Sequence, residues 1–490
     1  MTTAITTTGT MRQATAKRAS WRERAIFLTM AWAWAMATLL AGCGGEPGTA
    51  KLRDASNADL TIWHGFEGEE RPYFAELVKE FESAQAEKLG HAVRVAINYT
   101  PFPQMETKLR TATIAHETPD LCFFDALKVL GLAYGKALTR IDDIPGFPAE
   151  SIEAFRSEFV PAAYDTCVVN VQGEVGLYGL PAQTTCVALF YNKAVFRRFH
   201  DSLKAAGLDP SRPPQTWDEL ESYAKAMTIP ADGQYGWAMN RSLWWSYPML
   251  NSTRAKLIEY AEDGKALNAF DDEKAFAGLA LLEHLARSGF EGGAWRQGGL
   301  TPDQGFLEGK YAMCLNGPWK VADFLGAGLD FGVAPIPRLA RAEAEKLGLI
   351  QPGATDEEWS QQVPSTSNLG GQNLVMFKTC PNKELALEFM LWFTSADVQR
   401  RWCSKLTQIP VRRAAREGLQ LRNAEHFGVF VEQVSTTIAP PLVPLAGKLE
   451  VDIFNKELEL LFEGAKTPQQ AAAAIGEKLE KEILAKMNAF

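Results

Sequence analysis

From Leu60 onward, short apolar runs alternate with amphipathic stretches, and this alternation constrains the fold more than any other feature of the chain. Leu60-Thr61-Ile62-Trp63 reads as a strand, and Pro72 to Leu89 carries Phe74, Leu77, Val78 and Phe81 at helical spacing. Val93 to Ile97 alternates as a second strand, Gln104 to Ile114 is a helix, and Leu121-Cys122-Phe123-Phe124 is a buried strand. A β-α-β-α-β order predicts parallel sheets with crossover helices, an α/β fold. The pattern recurs with longer connections. Ala188 to Tyr191, Tyr311 to Leu315, Phe331 to Ala334 and Leu374 to Phe377 are further strands. Thr216-Trp217-Asp218-Glu219 and Thr467-Pro468-Gln469-Gln470 have the capping-box form, a hydroxyl over the first helical turn with a polar side chain reaching back. Arg338 to Gln362 is charged and weakly periodic, which predicts a surface excursion. The 490 residues suffice for about two or three domains with sizeable cores.

The N-terminus predicts export. Basic residues from Arg12 to Arg24 precede the uncharged, mostly apolar stretch Ala25 to Leu40, which is short for a membrane span of about 20 residues. Leu40-Ala41-Gly42-Cys43 follows and resembles a bacterial lipobox, which implies cleavage before Cys43 and diacylation of its thiol. Residues 1–42 are therefore a signal peptide, and 43–57, small and polar, a flexible lipid-anchored tether. The expected location is extracytoplasmic, on the membrane surface or in the periplasm.

Charge and motif content narrow the chemistry. The net charge is −9, and the first 43 residues carry +4, so the body carries −13. Such a body repels phosphate backbones and predicts no nucleic-acid partner. HExxH, GxSxG, GxGxxG and CxxC are all absent, and the histidines are scattered, which predicts no metal, no cofactor and no catalytic residue. Six cysteines follow Cys43. Cys122, Cys186 and Cys314 sit in apolar runs as expected free thiols, while Cys167 and Cys186 are the candidate disulfide pair.

Tryptophan stands out, with 13 in the chain. Trp63, Trp237, Trp244, Trp245, Trp295 and Trp319 lie near loop and turn residues, although packed core is the default role for any one of them. An indole suits the apolar face of a sugar ring. Covering such a face removes about 50 Å² of apolar surface, worth roughly 1–1.5 kcal/mol.

Several ordered blocks resemble the extracellular solute-binding proteins of ATP-driven importers, in the maltose-binding-protein-like carbohydrate family. The fullest runs from Phe306-Leu307-Glu308-Gly309-Lys310-Tyr311-Ala312-Met313 to Gly317-Pro318-Trp319, followed by Phe331-Gly332-Val333-Ala334-Pro335. Others are Tyr178-Gly179-Leu180-Pro181 with Ala188 to Lys193, Pro214 to Leu220, Thr118-Pro119-Asp120-Leu121, and Ile409-Pro410-Val411-Arg412. The resemblance covers about Leu60 to Met487.

It implies a two-lobed periplasmic-binding-protein-like fold with hinge strands and an interlobe cleft. The N-lobe is expected over 58–186 and 372–422 and the C-lobe over 187–371 and 423–490, with crossings near Thr185–Val187, Gly370–Leu374 and Leu419–Phe427. Trp319 matches the family's stacking tryptophan. Phe66 is expected to stack on ligand and Glu67 to accept a hydroxyl, with a solvated turn as the alternative for both; Asp125 is expected to accept hydroxyls, with a helix N-cap as its alternative, and Gln183 is a further ligand-site candidate in the loop before the first crossing. Trp244 and Trp245 resemble the second-lobe aromatic region, with lobe core as the alternative, Gly371 marks a close backbone approach, and Arg412 is either a ligand for hydroxyls or a phosphate or a surface charge. The implied function is that of a monomeric receptor delivering a carbohydrate, an oligosaccharide or polyol, to permease subunits on separate chains. The alternatives are a secreted glycan-processing enzyme, or the same fold binding a phosphorylated polyol such as glycerol 3-phosphate.

Overall fold

The computed structural model describes residues 57–488, apart from 172, 263–264, 407, 418 and 420–423. The signal, Cys43 and the tether up to residue 56 lie outside the described residues, as does part of the third expected crossing. In chain order the strands are β1 (Leu60–His64), β2 (Val95–Tyr99), β3 (Leu121–Asp125), β4 (Val168–Val171), β5 (Glu174–Leu177), β6 (Leu180–Thr185), β7 (Ala188–Asn192), β8 (Ile258–Tyr260), β9 (Ala266–Asn268), β10 (Met313–Asn316), β11 (Phe331–Ala334) and β12 (Gly370–Met376).

Two sheets organise them. The first has the order β2-β1-β3-β12-β6, with β1 parallel to β2 and β3, and β12 antiparallel to both β3 and β6. Its central strand Leu-Cys-Phe-Phe is apolar on both faces because both are covered. Leu121 and Phe123 pack with Phe74, Phe393 and Trp402 on one face. Cys122 and Phe124 pack with Met105, Leu109 and Val129 on the other. The second sheet has the order β10-β7-β11, with both neighbours antiparallel to β7. Leu189 and Leu315 face a core of Trp237, Leu279 and Leu461, while Phe190 and Phe331 face Phe306, Phe324 and Phe430. Thus β6 ends in one sheet at Thr185 and β7 begins in the other at Ala188, so the chain passes between the two sheets in two residues.

Cys186 is a buried free thiol, as its apolar run predicts, and Cys167 is another, so the alternative Cys167–Cys186 bridge is not formed. Two sequence expectations need correction. The segment after Arg338 is more than an excursion. It forms the helices Arg341–Lys346 and Asp356–Gln362 and sends Leu339, Ala344, Ile350 and Val363 into the core of the second lobe. Of the two capping boxes, the one at Thr467 is reciprocal with Gln470. At Thr216 the hydroxyl caps Glu219 N–H, but the Glu219 carboxylate turns to Arg212 and Gln215 N–H instead.

Candidate functional site

The crossing strands carry a row of polar side chains at one end of the first sheet. Asp125 of β3 is opposite Gln372 of β12, which is opposite Gln183 of β6. Three adjacent strands thus present three polar residues at one level. Gln183 Oε1 and Gln372 Oε1 are buried and have no hydrogen-bond partner among the described residues. Such orphaned acceptors are rare in packed protein and mark places where something else supplies the donor. The sequence singled out Asp125 and Gln183. Gln372 was legible only as the neighbour of Gly371.

Gly371, next to Gln372 on β12 and in register with Thr184, has φ +146°, and a Cβ there would lie 2.0 Å from Gln183 O. The two crossing strands therefore approach as closely as a bare backbone allows. A Cβ on Gly370 would lie 2.2 Å from the Trp244 ring, so that indole lies directly against the hinge backbone. Trp244 and Trp245 open the helix Leu243–Ser252, whose first turn is held by Ser242 Oγ accepting from Trp245 N–H and by Asn455 Oδ1 accepting from Leu243 N–H at 2.8 Å. Trp319 follows β10 in the turn Pro318–Lys320. Its ring covers Gly317, where a Cβ would be 1.9 Å from the indole, and meets the Trp245 ring edge-on at 6.3 Å. All three indoles are partly exposed.

Asp125 is both a cleft residue and a cap: its Oδ1 accepts from Leu127 N–H at 3.0 Å. Burial raises its carboxyl, against the pull of Lys128. Lys128 Nζ lies 3.1 Å from Glu106 and 3.6 Å from Asp125. Burial disfavours the Lys128 ammonium, yet Asp125, Glu106 and Glu450 together hold it above its ordinary value. Glu450 belongs to the C-terminal segment, which presses on the first lobe at two points. A Cβ on Gly447 would be 2.6 Å from Glu106 Oε1, and one on Gly131 would be 2.5 Å from Pro444 O. Sequence reading missed Lys128, Glu106 and Glu450; Glu450 lies more than 300 positions from the other two, and nothing local links it to them.

Two candidates are not cleft contacts. Phe66 is 1% exposed and lies among Phe74, Phe123 and Trp402, with ring centroids 4.7–5.1 Å away, so it is core. The chain turns at Gly65 and drives residue 66 inward. Arg412 is 9% exposed and lies over the Phe155 and Phe159 rings. Its Nε donates to Thr394 O at 2.7 Å, and its Nη1 is paired with Glu158. A guanidinium engaged in this way ties helices together and offers no anion site. Glu67 is exposed, and Tyr99 Oη donates to it at 3.1 Å. Of the other tryptophans, Trp237 and Trp295 are buried core, and Trp63 is partly exposed under Lys108 Nζ, 4.0 Å from its ring centroid.

His64, at the end of β1, accepts from Phe66 N–H at Nδ1, 3.2 Å away. Burial, with help from Arg71, lowers its pKa from 6.5 to about 4. The folded protein therefore refuses a proton that the unfolded chain takes up, and His64 costs stability as the pH falls from 6.5 towards 4. Asn at this position keeps the acceptor without the titration. The stability advantage of wild type over His64→Asn is expected to shrink steadily across that interval in urea melts.

No group of His, Cys, Asp and Glu among the described residues has metal-binding geometry, and no described helix is long and apolar enough to cross a membrane. A wide trough of about 1460 Å³, lined by Asp59, Tyr178, Lys378 and Asn382, lies at the opposite end of the first sheet from the polar row.

Comparison with known proteins places this architecture. A family described as bacterial extracellular solute-binding protein matches residues 76–428. The chain belongs to that family. This solute-binding protein is 26% identical over 445 residues to a maltotriose-binding protein of Pyrococcus abyssi, covering 89% of this chain and 83% of that protein. It is 24% identical over 436 residues to the sn-glycerol-3-phosphate-binding periplasmic protein of Escherichia coli, covering 84% and 89%. Among solved structures, the GacH receptor of Streptomyces glaucescens, described unliganded and with acarbose, superposes with a TM-score of 0.69 at 22% identity, covering 87% of this chain and 98% of that one. The solute-binding protein thus has the two-lobed fold of maltose-binding-protein-like receptors, and its family places it outside the cytoplasm.

Proposed function

We propose that this protein is a carbohydrate receptor of an ATP-driven importer, tethered to the membrane through a lipid on Cys43 and acting as a monomer without catalysis. The observation that carries the reading is the pairing of surfaces at the crossing. One lobe presents the row Asp125–Gln372–Gln183 with unsatisfied amide oxygens, and the other presents Trp244, Trp245 and Trp319. Hydroxyls are the donors that such oxygens lack, and the apolar faces of sugar rings fit indoles. The maltotriose-binding name of one relative supports a saccharide. Lobe limits of 58–186 with 372–422, and 187–371 with 423–490, fit this use, because ligand touching both lobes favours the closed form over the open one.

The phosphorylated-polyol reading has a relative in its favour. It loses its candidate anion ligand, however, because Arg412 is engaged inside the first lobe. Calorimetry with neutral and phosphorylated candidates separates the two, and recovery of intact sugar separates receptor from hydrolase. Within the saccharide reading, Trp319→Ala is expected to weaken binding about five- to tenfold, the worth of one stacked ring face. The thermal melt should stay within a few degrees of wild type. Unchanged affinity would remove Trp319 from the site.

A further inference from the structure

Two glycines, one on each lobe, are bare at the points where the other lobe arrives. Gly131 lies inside the helix Val129–Tyr134, which follows Asp125, and its carbonyl accepts from Gly135 N–H at 3.1 Å. Gly447 lies inside the short helix Ala446–Lys448. Neither has a positive φ, so neither is needed for a turn, and glycine is a weaker helix former than alanine. What excludes a side chain is the opposite lobe. A Cβ on Gly131 would lie 2.5 Å from Pro444 O, a backbone atom that cannot rotate aside. A Cβ on Gly447 would lie 2.6 and 2.7 Å from the two Glu106 carboxylate oxygens. That carboxylate is held by Arg110 at 3.0 Å and Lys128 at 3.1 Å.

The segment around Gly447 belongs to one lobe and rests on the other. Val443 and Leu449 lie in the second lobe's core with Leu189 and Trp237, whereas Leu442 packs on the first lobe's cluster of Cys122, Phe124 and Val129. The same segment holds the start of the tryptophan helix. Asn455 accepts from Leu243 N–H, and the Glu450 carboxylate accepts from Trp244 N–H while facing Lys128 of the first lobe. Gly131 is six residues beyond Asp125 and off the crossing strands, so a rotation that opens the cleft must part it from Pro444. Packed interfaces do not stretch to admit a carbon atom at 2.5 Å; they separate.

We propose that Gly131 and Gly447 are positioning residues for ligand capture: their bare backbones let the segment 442–450 seat on the first lobe in the closed form, bringing the tryptophan helix onto the cargo; this rests on the saccharide reading above. The test is Gly131→Ala in the full chain, by thermal melts without ligand, and by calorimetry and small-angle scattering with maltotriose and other glucose and galactose oligomers. The ligand-free melt should be unchanged or raised by about 2 °C, as for alanine in a helix. Affinity should fall about tenfold or more, and the compaction with saccharide should shrink. Gly447→Ala should weaken binding too, and that loss should largely vanish in a Glu106→Ala background, whereas the loss from Gly131→Ala should persist there. Wild-type affinity and compaction in Gly131→Ala overturn the proposal. So does a ligand-free melt lowered by more than about 5 °C, which would make the contact a permanent part of the fold. If no saccharide binds, the carrier reading falls, and ligand-free scattering decides the contact alone: a larger radius of gyration in Gly131→Ala than in wild type upholds it, and equal radii overturn it.

Discussion

Phe66→Ala is expected to cost the first lobe about 3–5 kcal/mol, the range for emptying a well-packed aromatic site. The ring is 1% exposed, and it stacks on His64 at 5.2 Å while touching Phe74, Phe123 and Trp402. These four neighbours come from β1, β3 and two helices, so collapse around the void would need all of them to shift together. Urea unfolding should show a markedly lower midpoint with an unchanged slope. At temperatures where the variant is still folded, saccharide affinity should change little. A normal midpoint with lost binding would return Phe66 to the ligand site.

Gly371→Ala is expected to cost more than about 4 kcal/mol, or to leave a protein that folds but no longer compacts with ligand. Two effects combine. A φ of +146° is a conformation that L side chains rarely adopt, and the new Cβ would lie 2.0 Å from Gln183 O and 2.9 Å from Thr184 Cα. Both are backbone atoms of the paired strand and cannot rotate aside. Relief requires β12 to part from β6 at the crossing, where Thr184 Oγ1 also donates to Gly370 O at 3.3 Å. Gly68→Ala is the matched control, since Gly68 has φ +49° and nothing within 4 Å of a Cβ. It should cost only about 1 kcal/mol of backbone strain. Thermal melts and small-angle scattering with and without ligand would separate the two variants. Comparable behaviour of both would mean that the close approach at the hinge is dispensable.

Much of the architecture was legible from the chain because its causes are local. Apolar runs of β length, helical spacing of Phe74, Leu77, Val78 and Phe81, and the Thr467 box depend on neighbours a few residues away. The turn Gly317-Pro318-Trp319 was equally readable, since a missing Cβ and a fixed proline φ aim the indole whatever surrounds them. Which aromatic faces the cleft and which fills the core is not a local property. Phe66 and Trp319 both follow glycine-containing turns, yet one is enclosed by residues as distant as Trp402 and the other stays partly open. The same holds for charge. Arg412 looks like an anion ligand until Glu158, 254 positions earlier, occupies it, and Glu70 looks like an ordinary first-turn acid until Gln183 and Gln408 close over it. Periodicity and turn chemistry set the elements; burial and pairing across hundreds of residues, which exist only once the lobes have packed, decided what each side chain is free to bind.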